Sequence, residues 1–104
     1  MKIAVPIQSG NKIAHQFEVC DCFGIFTIDA ERKIVDVERI TNETDNENRI
    51  VNIFNFIDSN QINLIITNQI TSMIENKCYS NGICVMKDCE GDVFSSINFF
   101  LQQK

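Results

Sequence analysis

The stretch QINLIITNQITSMIENKCYSNGICVM, residues 61–86, decides the fold. Its opening QINLII is apolar almost throughout, as in a strand covered on both faces. The period then changes, and Ile70, Met73, Ile74 and Lys77 fall on one side of a helix. Gly82 ends that unit and ICVM begins another strand. Strand, helix and strand in this order predict a parallel crossover, normally right-handed. Strands this apolar need helices to hide them, so one sheet between helical layers is the economical solution.

Downstream, DVFSSINFFLQQ places Val93, Ile97, Phe100 and Leu101 at helical spacing, with Asp92 able to cap the start. Upstream, TNETDNENRIVNIFNFIDSN carries Ile50, Ile53, Phe54 and Ile57 at the same spacing, widened by Val51. That face is expected to be core. Thr44 and Glu47 fit a capping box, and Asp45 or Asn46 would also serve as caps. Before it, CFGIFTID and KIVDVERI are strands joined by AERK, a hairpin. Val35 and Val37 share one face while Asp36 and Glu38 share the other, the pattern of a half-buried strand. KIAVP opens the chain as a strand that Pro6 closes or occupies without a ladder donor. QSGNKIAHQFEVCD then reads as a long polar connection. The order β-β-β-α-β-α-β-α predicts an α/β fold. Its single mixed five-stranded sheet has strands near 2–6, 22–29, 33–40, 62–67 and 83–86 and is flanked by helices.

At 104 residues the chain suits one domain over 1–104. A hydrophobic share of 44%, with one proline and four glycines, is that of a globular protein, not a linker. The formal net charge of -5 disfavours nucleic acid and anionic membrane surfaces, which need clustered Lys and Arg. The opening MKIAVPIQSG has no apolar core of a secretory leader, and no run approaches the roughly 20 residues of a membrane span. A cytoplasmic protein with reduced thiols is expected, and the odd count of five cysteines argues against a disulfide framework.

The chemistry gathers in HQFEVCDCF, residues 15–23, which holds the only histidine and two cysteines. Thiolates bind soft metals and iron–sulfur clusters, and an imidazole from His15 adds a further ligand type. In extended backbone Cys20 and Cys22 point the same way and Asp21 the other. A looped segment aims them differently. Cys-x-Cys alone lacks the paired spacing of a zinc site, so ordinary apolar thiols stand beside a metal or redox pair as readings. His15 likewise reads as a solvated loop residue or as a ligand. Cys78, Cys84 and Cys89 read as small hydrophobes or incidental thiols, and no CxxC unit is present. Asp29, Asp36 and Glu38 near the strands are carboxylates of a magnesium-binding type, although Asp36 and Glu38 fit a wet strand face. Ser9-Gly10 lacks the Walker pattern, and no serine elbow or dinucleotide fingerprint occurs. No catalytic residue is nominated, which leaves a non-enzymatic binding or carrier protein, or a structural or protein-interaction domain.

Taken in order, several pieces carry a resemblance. MKIAVP opens the chain, Phe17 and Phe23 occupy two aromatic positions, Asp29 ends a strand and DAERKIVDVERI forms the hairpin. NLIIT, NQIT, SMIENKCYSN and GICVM follow, and GDVFSSINFFL closes. The chain resembles the dinitrogenase iron–molybdenum cofactor biosynthesis family, small proteins that bind or carry nitrogenase cofactor or its precursors. The resemblance implies a ribonuclease H-like architecture without nuclease activity. It also implies an iron–sulfur or iron–molybdenum cluster as ligand and an acceptor protein as partner; the residues themselves also leave open a chain with no ligand. The implied cofactor-binding positions are His15, Gln16, Cys20 and Cys22, with Cys20, Cys22 and His15 as metal ligands. Gln16 stands where the family's loop histidine would align, one residue after His15, and Glu18 replaces a glycine. Asn68, Gln69, Ile70 and Thr71 stand at the family's glycine turn, and TNETDNENR replaces a loop rich in glycine and histidine.

Overall fold

β1 (Lys2–Gln8) lies at the middle of the sheet because its apolar run is covered on both faces, with Ile3 to Ile7 all buried. The structure, a computed structural model, describes residues 1–42 and 48–103. After β1 come β2 (Lys12–Ile13), β3 (Cys22–Ile28), β4 (Ile34–Thr41), α1 (Arg49–Ser59), β5 (Leu64–Ile66), α2 (Ser72–Ser80), β6 (Cys84–Met86) and α3 (Val93–Gln102). The strand order is β4-β3-β1-β5-β6, with β2 paired to β1. β3 runs antiparallel to both β1 and β4, whereas β5 is parallel to both β1 and β6. This is the mixed sheet flanked by helices that the apolar strands require. The expected capping residues Thr44, Asp45, Asn46 and Glu47 lie outside the described residues.

The five expected strands form this path, and β2 is a sixth, within the stretch read as a polar connection. It pairs Ile7 with Ile13 and Gln8 with Lys12. Two residues are too few to show an alternating pattern, so the pairing leaves little trace in the sequence. Pro6 does not end β1. It sits opposite Phe23, and its carbonyl accepts from the Ala14 N–H at 2.9 Å.

The sheet separates two apolar layers. On one side Ala4, Phe23, Ile25 and Ile65 meet α1 and α2 through Ile53, Phe56, Ile57, Ile74 and Cys78. On the other, Ile3, Val5, Ile7, Phe26 and Ile66 meet α3 through Val93 and Ile97. Gly24 belongs to this second side: a Cβ there would lie 2.8 Å from Ile7 Cδ1 and 2.9 Å from Phe26 Cε1, so only glycine lets the two side chains close over it. Asp92 caps α3 as expected, accepting from the Ser95 N–H at 2.9 Å. The far end of α3 is held by Arg32 in the β3–β4 turn, whose guanidinium donates to the carbonyls of Leu101 and Gln103.

Three packing expectations need correction. In α1 the buried aromatic is Phe56, stacked on Phe23 with centroids 4.3 Å apart, while Phe54 is only partly buried and lies under Lys77 Nζ at 5.5 Å. Of the expected stripe Ile50, Ile53, Phe54 and Ile57, Ile53 and Ile57 are buried and Ile50 and Phe54 only partly so, because the helix is turned to bring Phe56 inward. In α2, Met73 is exposed and Cys78 joins Ile74 as the buried pair. Along β4 the valines are not half-buried: Val35 is 59% exposed and Val37 42%. Strands spaced about 4.8 Å apart make a sheet far wider than one helix of about 10 Å diameter, so α3 leaves the outer strand bare.

Phe56→Ala should therefore cost about 3–5 kcal/mol in denaturant unfolding, the range for a buried aromatic truncated to alanine. Phe54→Ala should cost clearly less, about 1 kcal/mol. Equal losses would show that the stripe has been assigned to the wrong face.

Candidate functional site

β1, β5 and β6 run parallel, so their carboxyl ends leave the sheet along one edge. Ligands of open α/β sheets collect at such edges. Three loops meet here and are stitched together through their backbones. The Phe17 N–H donates to the Gln69 carbonyl at 2.8 Å, and the Gln69 N–H returns to the His15 carbonyl at 3.0 Å. The Asp88 N–H donates to the Asn68 carbonyl at 2.9 Å, and the Cys89 N–H to that of Thr67 at 3.1 Å. Beyond them, Ile13 donates to Gly91 and Val93 to Asn11. Phe17 anchors the first loop from below: it is fully buried, with its ring centroid 5.0 Å from that of Phe23.

The side chains on this rim are polar and linked. Asn68 Nδ2 lies 3.5 Å from His15 Nδ1, a contact in which the ring nitrogen accepts when its proton is on Nε2. Gln69 Nε2 donates to Asn68 Oδ1 at 3.2 Å and to Asp88 Oδ1 at 3.3 Å. Asp88 holds a left-handed backbone, φ 63°, a conformation that Asp and Asn tolerate best among residues with a Cβ. A pocket of about 260 Å³ lined by Gln8, Ser9, Lys12, Ile13 and His15 flanks the rim. The rim thus offers one imidazole, a run of amides and one carboxylate, which suit hydrogen bonding with a single nitrogen ligand.

Of the residues nominated from sequence, His15 and Gln16 are exposed on the rim. Cys20 and Cys22 are not brought to one face. Cys20 is buried in the layer facing α1 and α2, whereas Cys22 is half-buried against the layer under α3. The reason is local: β3 begins at Cys22, so strand alternation does not extend back to Cys20. Asn42 holds that loop closed, its Nδ2 donating to the Glu18 carbonyl at 3.2 Å and to the Cys20 carbonyl at 3.0 Å, and lying 3.6 Å from Cys20 Sγ. Burial pushes the Cys20 thiol up to about 12; the neighbouring Cys22 adds to the rise and the Asn42 hydrogen bond opposes it. Burial also raises Cys78 to about 11, and Cys89 upward with help from Asp88.

Asp29 is occupied in the hairpin turn, accepting from the N–H groups of Glu31 and Lys33. Among the described residues, no group of three or more His, Cys, Asp and Glu is placed to hold a metal ion. Glu18 is buried, and among the described residues its Oε2 has no hydrogen-bond partner. The amides of Asn68 and Gln69 and the carboxylate of Asp88 were not nominated as site residues from sequence. The available signal was positional: each lies just past the end of a short apolar strand.

The raised thiols set the alkaline behaviour. A folded-state value above the ordinary 9.0 means that the Cys20 contribution to stability is complete below pH 9.0 and is lost as pH climbs toward about 12. Alkylation of the native protein by iodoacetamide at about pH 8 should label exposed Cys84 first, with Cys20 and Cys78 protected until denaturant is added. Rapid labelling of Cys20 in the native state, read by peptide mass spectrometry, would contradict its enclosure.

Comparison with known proteins agrees with this geometry. PH0822 superposes with a TM-score of 0.84 at 20% identity, over 97% of this chain and 88% of that one. The apo form of the orange protein from Desulfovibrio gigas gives 0.78 at 20% identity, over 96% and 86%. These two show the fold alone. MJ0327 from Methanocaldococcus jannaschii, provisionally described as a dinitrogenase, gives 0.75 at 28% identity, over 98% and 88%. Among curated proteins no sequence relative matches. The profile of the family described as "Dinitrogenase iron-molybdenum cofactor" matches residues 1–103, and the chain belongs to that family.

Proposed function

We propose that this chain is a non-enzymatic carrier that takes up a metallocluster or its precursor at the carboxyl edge and passes it to an acceptor protein. Family membership over residues 1–103 is the observation that carries the reading, and the stitched rim of three loops gives the cargo a place. His15 would supply an imidazole ligand, and the side-chain amides of Gln16, Asn68 and Gln69 beside it would serve as hydrogen-bond donors to cluster sulfur. Chelation by a thiolate pair does not fit this rim, because Cys20 is enclosed and faces away from Cys22. In this reading Cys22 is the one nominated thiol open to cargo, and Cys20 supports the loop from beneath.

The strand order, with antiparallel strands on one side of β1 and parallel strands on the other, supports a ribonuclease H-like architecture. One domain over 1–104 and a cytoplasmic setting complete the proposal. Among the described residues no helix is long and apolar enough to cross a membrane. A second reading, an interaction domain without cargo, is favoured by the separation of Cys20 from Cys22.

Anaerobic reconstitution of the reduced protein with iron, sulfide and thiomolybdate, followed by metal quantification, separates the two. Stoichiometric uptake that falls several-fold in His15→Ala and Gln69→Ala, with unchanged circular dichroism, is the expected result. Absence of stoichiometric uptake by folded, reduced protein would overturn the carrier reading and leave the interaction domain.

A further inference from the structure

Among the described residues β4 is the outermost strand of the antiparallel half, and no strand lies beside its outer backbone edge. Its residues from Val35 to Arg39 are exposed, which makes both faces available as well as the edge. Register assigns the faces. Val37 pairs with Phe26 and so lies on the side of α3; Asp36 pairs with Thr27 and Glu38 with Ile25, on the side of α1 and α2. Phe94 of α3 meets Phe26 edge-on at 5.5 Å and is itself 36% exposed. Val37 thus shares a face with Phe26 and Phe94, Asp36 and Glu38 lie on the opposite face, and Val35 is the exposed residue at the register shift between the Asp36 and Ile34 pairs.

Among the described residues the carboxylates of Asp36 and Glu38 take part in no ion pair; the pairs formed there are Lys33–Glu31, Lys77–Asp58 and Lys87–Glu75. Arg39, the cation of β4, is directed elsewhere: its Nη2 donates to Asn11 Oδ1 at 2.7 Å.

These charges decide what can pair with the edge. In an antiparallel pair, residues directly opposite one another share a face, and like charges in that position repel. A second copy with its two-fold axis at Val37 sets Asp36 against Glu38. Axes at Asp36, Glu38 or Arg39 set each of these against its own copy. Each of these four registers opposes like charges, which disfavours self-association through them. The same arrangement favours a different occupant.

We infer that β4 is a docking strand for an extended segment of a partner protein in which Lys or Arg alternates with β-branched apolar residues. Main-chain hydrogen bonds along the free edge supply affinity, as in strand addition to other sheets. Basic side chains oppose Asp36 and Glu38, while apolar ones cover Val37 on the face that carries Phe94. The net charge of -5 draws such a segment toward the surface. This surface is independent of the cargo rim, and its test does not involve metal.

The probe is a short fluorescent peptide alternating lysine and valine, with a control carrying glutamate for lysine, both added to the full chain. The lysine peptide should bind and slow hydrogen exchange of the β4 backbone amides. The double variant Asp36→Lys/Glu38→Lys should weaken its binding by about tenfold or more and gain the glutamate peptide instead. Equal affinity of wild type and double variant would overturn the inference, as would protection confined to elements other than β4. Self-association of the free chain through β4 would also overturn it, by making a second copy the occupant.

Discussion

β1 carries Ile3 to Ile7 through the centre of the sheet with both faces closed to solvent. A strand buried this way must satisfy its backbone polar groups with strands on both sides, since unpaired groups in an apolar interior are costly. β3 supplies one side from Lys2↔Thr27 to Ile7↔Cys22, and β5 the other at Ile3↔Leu64 and Ala4↔Ile65. The remaining architecture is built outward from those two ladders. Sequence-adjacent β3 and β4 form the hairpin half, while β5 and β6 need a helix between them to run parallel. That requirement puts α2 beside α1 on one face and leaves α3 to cover the other.

The two halves have different consequences for function. Parallel strands deliver their loops to one edge, so residues far apart in the chain, His15, Asn68 and Asp88, reach one rim. A hairpin delivers only a short turn, and here that turn serves the fold: Arg32 ties it to the end of α3. The hairpin half contributes a bare outer strand instead, because one helix cannot span the sheet. A polar rim and a free edge are thus separate products of the same asymmetry around β1.

What the sequence made legible follows from the range of each interaction. Continuous apolar runs announced β1 and β5, and Asp92 was readable as a cap because capping is decided within one helical turn. The parallel crossover was legible for the same reason: its order of elements is a local pattern. Phe56 over Phe54, and exposure of Val35 and Val37, depend on what lies opposite, and spacing carries no information about that. β2 was missed because two residues paired to a distant strand have no period. On the candidate rim, His15 was nominated from its loop and Gln16 from the family resemblance, and both are exposed there. The amides of Asn68 and Gln69 became neighbours of that loop only through the β1–β5 ladder.

The cysteines show the same limit from the chemical side. Cys20 and Cys22 look like a chelating pair only if the strand includes both, and the boundary falls between them. Cys20 then behaves as a small apolar residue under a loop, its carbonyl held by Asn42 and its thiol pushed up to about 12 by burial. A thiol so enclosed is a poor thiolate, and the thiolate is the form that ligates metal. Its contribution to the site is mechanical: with Phe17 it fixes the loop that presents His15 and Gln16. If the proposed carrier reading holds, rigid support beneath and polar groups above would keep the loop's geometry before cargo arrives, so that less ordering entropy opposes binding. The buried thiol of Cys20 and the exposed imidazole of His15 thus occupy opposite sides of one short loop that ends where β3 begins.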